Sequence, residues 1–437
     1  FYVNLLPSSL MTDNCVVDIK TQNRQHRGYT LFLLLLVFIA SHVDRQIVAI
    51  LQEPIRIAFD LTDTQLGVLT GFAFALFYAT LGMPMAMWAD RRNRRNLIAF
   101  SISLWSAMTV ACAAAGQYWQ LLAARIGVAV GEAGSNPPSH SIIADLYQPA
   151  ERATAMAIFG LGVNFGIMFG FLIGGWVNDW VGWRWAFVIA GAPGLLIALA
   201  VRFTMKEPPR GLSDGLTYEV QPPPFFLVVR TMWRDNRIRQ LLLSNALISM
   251  AGYAAIAWAP VYFQRIHGFS TSESGTFLAL GIGLGGGLGT FLGGALADKL
   301  SKISEGWRAW IVSFSILAYL PAGYLCYQSI DPFWAIFWFT GPAALGGVYI
   351  GVNFAILQSL APVEMRAVMA SINLFVLNII GLGLGAFSVG MISDLMSPTA
   401  GVDSLRYGLM FTLLLMLWGG IHPVSYTHLT LPTSRSV

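Results

Sequence analysis

Charge is what this sequence has least of. Only 11% of its 437 residues are Asp, Glu, Lys or Arg, less than half of the roughly 25% usual in a soluble domain. With 56% hydrophobic residues beside so little charge, the composition predicts an integral membrane protein. Cysteine is nearly as scarce. Cys15, Cys112 and Cys326 are scattered and odd in number, which leaves no disulfide framework and no metal-ligand spacing. The six dispersed histidines likewise build no metal site. A phosphate-loop motif is absent, which argues against ATP as the driving force. So are the nucleophile and phosphate-cradling patterns that a lipid enzyme would need. The sequence therefore predicts no catalytic residues, no metal and no cofactor. A net charge of +4 does not point to nucleic acid; it reflects Lys and Arg retained on one side of a membrane.

Long apolar runs are abundant instead. Twelve are long enough for the ~20 residues that cross a bilayer as helix. Helix 1 runs from 28 to 51, after Lys20, Arg24 and Arg27. Helices 2 to 6 fall at 65–88, 96–115, 119–143, 152–177 and 184–201. Helices 7 to 12 fall at 239–263, 274–297, 308–328, 333–359, 366–393 and 405–423. The resulting plan is a tail (1–27), a six-helix bundle (28–202), a polar linker (203–237), a second bundle (238–423) and a tail (424–437) expected to be non-native. Arg91, Arg92, Arg94 and Arg95 precede helix 3; Lys206, Arg210, Arg230, Arg234 and Arg237 precede helix 7; Lys299 and Lys302 precede helix 9. Few basic residues occupy the alternate loops, chiefly Arg56, Arg184, Arg265 and Arg406. The imbalance places both termini and the linker in the cytoplasm.

An internal repeat supports two halves. WADRRNRR at 88–95 is matched by LADKLSK at 296–302, PAERA at 149–153 by PVEMRA at 362–367, and WVND at 176–179 by MISD at 391–394. The three matches keep their order and nearly their offset, as expected of a duplicated six-helix unit.

The chemistry-bearing residues are charges inside apolar runs. In LLAARIGVAVGEAGSNPPSHSIIADLY, helix 4 holds Arg125 and Glu132 seven residues apart, on one face and about 10 Å apart along the axis. Glycines thin this helix, and Pro137-Pro138 must bend or break it. Helix 1 holds Asp44 and Arg45, and helical rise puts Asp44 and Arg125 at matching depth. A charge at the bilayer centre costs at least ~2.5 kcal/mol, so it normally faces a cavity or a partner. The arrangement reads as the wall of a transport pathway, with a buried structural ion pair as the bland alternative. His42 and His140 read as hydrogen-bonded structural histidines. Tyr253, Trp258, Tyr349, Asn353, Asn373 and Asn378 decorate a less charged second half, which suits an apolar chain.

These residues carry a family resemblance. ADRRNRR and ADKLSK resemble the signature loop of the major facilitator superfamily, GxxxDRxGRR. In the first copy Ala86 and Asn93 replace the glycines, while the second keeps Gly294, Asp298, Lys299 and Lys302. RIGVAVGEAG resembles the superfamily's helix-4 arginine motif. The ladder Gly162, Gly166, Gly170, Gly174 and Gly175 resembles its helix-5 motif without the usual proline. HVDRQIVAILQEPI, LTDTQLGVLTGFAFALFYATLGMPMA and KEPPRG look like the spinster-like branch, whose characterised animal members move sphingosine-1-phosphate or lysophospholipids. The resemblance implies an all-α integral membrane fold, twelve helices in two pseudo-symmetric bundles, acting as a monomer in a bacterial inner membrane.

The expected function is proton-coupled transport of a lysolipid or sphingolipid-type amphipathic anion by rocking of the two halves. The alternatives are a carrier of a soluble organic anion or drug, and a membrane-embedded lipid enzyme. Asp44 is the expected proton-binding acid, with Arg45 and Arg125 competing for its carboxylate, and Glu132 the second acid. Arg45 and Arg125 suit an anionic head group, because guanidinium grips phosphate in a fork; Glu132 suits a substrate amine. Asp90, Arg91, Arg94, Arg95, Asp145 and Arg152, with Asp298 and Lys299, are the expected cytoplasmic gate, latching the halves when the transporter opens outward.

Overall fold

The structure, a computed structural model, describes residues 13–210, 224–304, 306–362 and 365–430, without the side chains of 13–25, Asp90, Pro149, Ile350, Ala367 and 424–430. The first twelve residues of the expected amino-terminal tail, 211–223 of the linker and 431–437 lie outside the described residues. Among those described, the chain is all helix, with no strand. Nine segments are long and apolar enough to cross a membrane, and the last of them, 368–423, contains helices 11 and 12. Helices 4 and 10 complete the twelve. Each is broken in two, Tyr118–Glu132 and Asn136–Leu146 in one case, Pro332–Leu345 and Val348–Leu360 in the other. In helix 4 the break falls where the sequence places it. Pro137 and Pro138 fit the first turn of the second piece, where the missing N–H costs nothing.

Several limits differ from expectation. Helix 1 begins at Asp13 and helix 12 continues to Thr430. The linker region contains a short helix, Phe225–Arg234. Beside it, the KEPPR segment is strapped to the helix 2–3 turn. Arg94, 1% exposed, donates to Asp145, Glu207, Ser141 and the Pro208 carbonyl. Arg210 reaches back to the carbonyls of Ala89 and Arg92.

One apolar cluster runs across both halves, joining Ile47, Leu66 and Phe171 to Trp258, Phe263 and Leu278. A second, around Trp105, Leu34 and Phe74, belongs to the first half alone. The joined region lies at the end of the molecule opposite the basic loops.

There the two repeats exchange contacts. Helices 2 and 8 open with equivalent capping boxes, Thr62 with Gln65 and Ser270 with Glu273, which satisfy two N–H groups of each first turn. The carboxylate of Asp394, at the end of helix 11, accepts from the free N–H groups of Asp63 (3.0 Å) and Thr64 (2.7 Å) on helix 2. Asp179, at the end of helix 5, does the same for Ser272 of helix 8 at 2.8 Å. An anion at a helix N-terminus is stabilised by the free N–H groups and the dipole. These are the aspartates of WVND and MISD, so each repeat caps a helix of the other. Arg265 of helix 7 adds a fork onto Asp63 (2.7 Å) and Glu53 (2.8 Å).

Candidate functional site

The rotation of helix 1 is set by helix 5. A Cβ on Gly166 would stand 2.9 Å from the Ile39 carbonyl and would overlap His42, so only glycine admits helix 1 at this spacing. Phe38, His42 and Gln46 therefore face helix 5, and Asp44 turns away from it, towards helices 3 and 4. His42 rests with Nδ1 3.0 Å from the Phe38 carbonyl and His140 edges onto Phe159, in keeping with structural roles.

Asp44, Arg125 and Glu132 are each only 1% exposed, and Arg45 joins them at 18%. The sequence reading has Arg45 and Arg125 competing for the Asp44 carboxylate, and the contacts in the structure differ from that. Arg45 Nε donates to Glu132 Oε2 at 2.7 Å, not to Asp44. Arg125 Nη1 donates to the main-chain carbonyl of Asp44 at 3.2 Å, not to its carboxylate. Adjacent residues on a helix point about 100° apart, so Arg45 sweeps towards Glu132 while Asp44 does not. Phe74 of helix 2 separates the cations, its ring centre 5.0 Å from Arg45 and 5.2 Å from Arg125, and Tyr78 takes the other side of Arg45 at 4.6 Å. Aromatic faces attract cations, so the Phe74 ring favours both guanidinium groups.

The cluster is incompletely satisfied. Asp44 Oδ1, Glu132 Oε1 and Arg125 Nε are buried without a hydrogen-bond partner. Buried polar atoms are nearly always paired, and these three orphans lie together in one cluster.

A cavity of about 270 Å³ lies at the seam of the halves, lined by Val163, Asn164 and Ile167 of helix 5, Ile256 of helix 7, Ile282 of helix 8 and Phe339 of helix 10. Its size falls just under the ~300 Å³ at which small-molecule sites begin, so it suits one apolar portion of a substrate. In the second half Asn353 donates to Asn245 (2.8 Å) and Asn245 to Asn373 (2.9 Å), tying helices 7, 10 and 11 together. Trp258 is a packing residue, its indole N–H bonded to the Ala386 carbonyl.

The sequence of residues 33–386 matches the family model of the Major Facilitator Superfamily. The chain belongs to that superfamily. It is similar, at 30% identity over 94% of this chain and 99% of the other and with a TM-score of 0.84, to a bacterial homolog of the human lysosomal transporter Spinster in an inward-facing, unoccupied conformation. An MFS-type efflux pump of Mycolicibacterium smegmatis is 32% identical over 86% of this chain and 87% of its own length. Protein spinster homolog 1 of Rattus norvegicus is 25% identical over 91% of this chain and 79% of its own. The protein is thus a spinster-like, multi-pass membrane transporter.

In this spinster-like chain several of the expected gate residues have partners within the first half. Arg94 and Asp145 pair within the first half, Arg152 donates to the Ala144 carbonyl (2.9 Å), and Arg95 contacts Glu207 and Met205. Arg91, Asp298 and Lys299 are exposed, and the Asp90 side chain lies outside the described residues. The charged residues Glu53, Asp63, Asp179, Arg265 and Asp394, which do bridge, were not singled out as a gate. Their signal was present in the repeated WVND/MISD aspartates and in the two capping sequences that follow them across the seam.

Proposed function

We propose that the protein is a proton-coupled secondary transporter of a lysolipid or sphingolipid-type amphipathic anion, working by alternating access. The observation that carries this reading is the buried four-charge cluster with an unpartnered carboxylate oxygen on Asp44. A proton on Asp44 supplies the missing donor. When Arg125 leaves the main-chain carbonyl and takes the carboxylate, the proton is released, because the guanidinium replaces it as the compensating positive charge. Glu132 serves as the second acid and, with Arg125 and Arg45, as the head-group site. Arg45 is the most accessible of the four, and displacing Glu132 from its Nε frees it for phosphate. The seam cavity takes the acyl chain.

With the basic loops cytoplasmic, the exchanged caps close the outside. In the outward-open state Asp90, Arg91, Arg94, Arg95, Asp145 and Arg152 meet Asp298 and Lys299 as the cytoplasmic gate. The similarity to an efflux pump supports a second reading, a carrier of a soluble organic anion or drug by the same coupling.

The deciding experiment is movement of labelled sphingosine-1-phosphate and lysophospholipid in proteoliposomes, with and without a pH gradient. Gradient-stimulated movement is expected in the wild type, to be lost in Asp44→Asn and strongly reduced in Arg125→Ala and Glu132→Gln. A folded wild type that moves no lipid overturns the substrate class. Movement indifferent to the gradient overturns proton coupling through Asp44.

A further inference from the structure

The helix Phe225–Arg234, FFLVVRTMWR, lies between helices 6 and 7. Val228 and Met232, one turn apart, are 0% and 2% exposed and seat it against helix 7 and the start of helix 11. The opposite stripe is Phe226, Arg230 and Trp233, spaced i, i+4, i+7. Phe226 is 83% and Trp233 65% exposed, unusual for aromatic side chains facing water. No acidic residue occurs in these ten. Arg230 and Arg234 are exposed and form no ion pair among the described residues. A single residue, Asp235, links this helix to the membrane-spanning run of helix 7, whose first turn it caps through Arg237 N–H at 2.9 Å. The exposed stripe is therefore held at the boundary of the bilayer.

We propose that Phe225–Arg234 is a lipid-binding surface that lies in the head-group layer on the basic face and takes anionic phospholipid. Phe226 and Trp233 enter the acyl boundary, and Arg230 and Arg234 hold phosphate oxygens. Aromatic and basic residues on one exposed stripe are what such an interfacial helix requires. Basic residues next to a membrane span are drawn to anionic lipid. Because the helix leans on helices 7 and 11, this grip anchors the second half to the plane of the membrane.

The test uses the full chain in nanodiscs of phosphatidylcholine with or without phosphatidylglycerol. Nitroxides at Phe226→Cys and Trp233→Cys should collide readily with oxygen and poorly with a water-soluble nickel chelate. Phosphatidylglycerol should raise the thermal midpoint of the wild type, and Arg230→Gln/Arg234→Gln should lose at least half of that rise. Arg92→Gln, an exposed arginine elsewhere on the same face, should keep it. Nickel-accessible labels overturn the membrane placement. A rise that survives in the double variant, or is lost equally in Arg92→Gln, overturns the lipid site.

Discussion

Replacing Arg265 by alanine should open the outer face of the transporter. Its guanidinium forks onto Glu53 and Asp63 of the other half, at side-chain exposures of 14%, 12% and 7%. Removing one partner from a buried ion pair costs about 3–5 kcal/mol, since the stranded charge remains. Here some solvent reaches the group and rehydrates the carboxylates as the halves part, so about 2 kcal/mol is the reasonable share. The contacts exist only while the halves are closed on this side, so the whole loss falls on one conformer and shifts the equilibrium about thirtyfold. Spin labels at Ile57→Cys and Ile330→Cys, exposed positions of the first and second half at 70% and 91%, report the outer separation by dipolar spectroscopy. The wild type should give mainly the short distance and Arg265→Ala a dominant longer one. Arg56→Ala is the control, because Arg56 pairs with Glu53 inside one half and should leave the distances unchanged. An Arg265→Ala protein that folds normally and keeps the wild-type distribution refutes the clasp.

The same clasp has a defined acid limit. Burial pushes the Glu53 carboxyl up, but the Arg56 hydrogen bonds and the Arg265 charge outweigh it and hold it below the usual glutamate range. A depressed carboxyl contributes stability above the ordinary glutamate pKa of about 4.3 and loses it as the pH falls through the lower value in the clasp. Outer distances should stay constant from about pH 8 to 5 and lengthen only below about pH 4. Gly175→Val should also favour the outward-open state, measured by the same labels, since even a Cβ there would meet the Thr271 carbonyl at 2.6 Å across the seam. Arg94→Ala should destabilise the first half by about 3 kcal/mol or more, seen as a lower thermal midpoint, because it strands Asp145 and Glu207.

Much of this architecture is legible in the sequence because membrane helices announce themselves by length and polarity. The break in helix 4 follows from two adjacent prolines. The four buried charges stand out because each is costly in an apolar run. Their pairing is not legible. Asp44 and Arg45 are neighbours in sequence, and only the docking of helix 1 on the helix-5 glycines decides which of them meets Glu132. The break in helix 10 at Gly346-Gly347 was missed, since glycine inside a membrane helix is common. Arg265 was counted as a loop charge because its partners, Glu53 and Asp63, lie some 200 residues away along the chain.

The exchanged aspartate caps impose a geometry on the opening itself. Asp394 holds helix 2 and Asp179 holds helix 8 on opposite sides of the pseudo-twofold axis. When one cap lets go, the other remains as a fulcrum, and the halves part as a wedge about it rather than separating in parallel. Damage to a single cap therefore produces a lopsided mouth, wide on the injured side. With both caps released the two repeats move apart evenly.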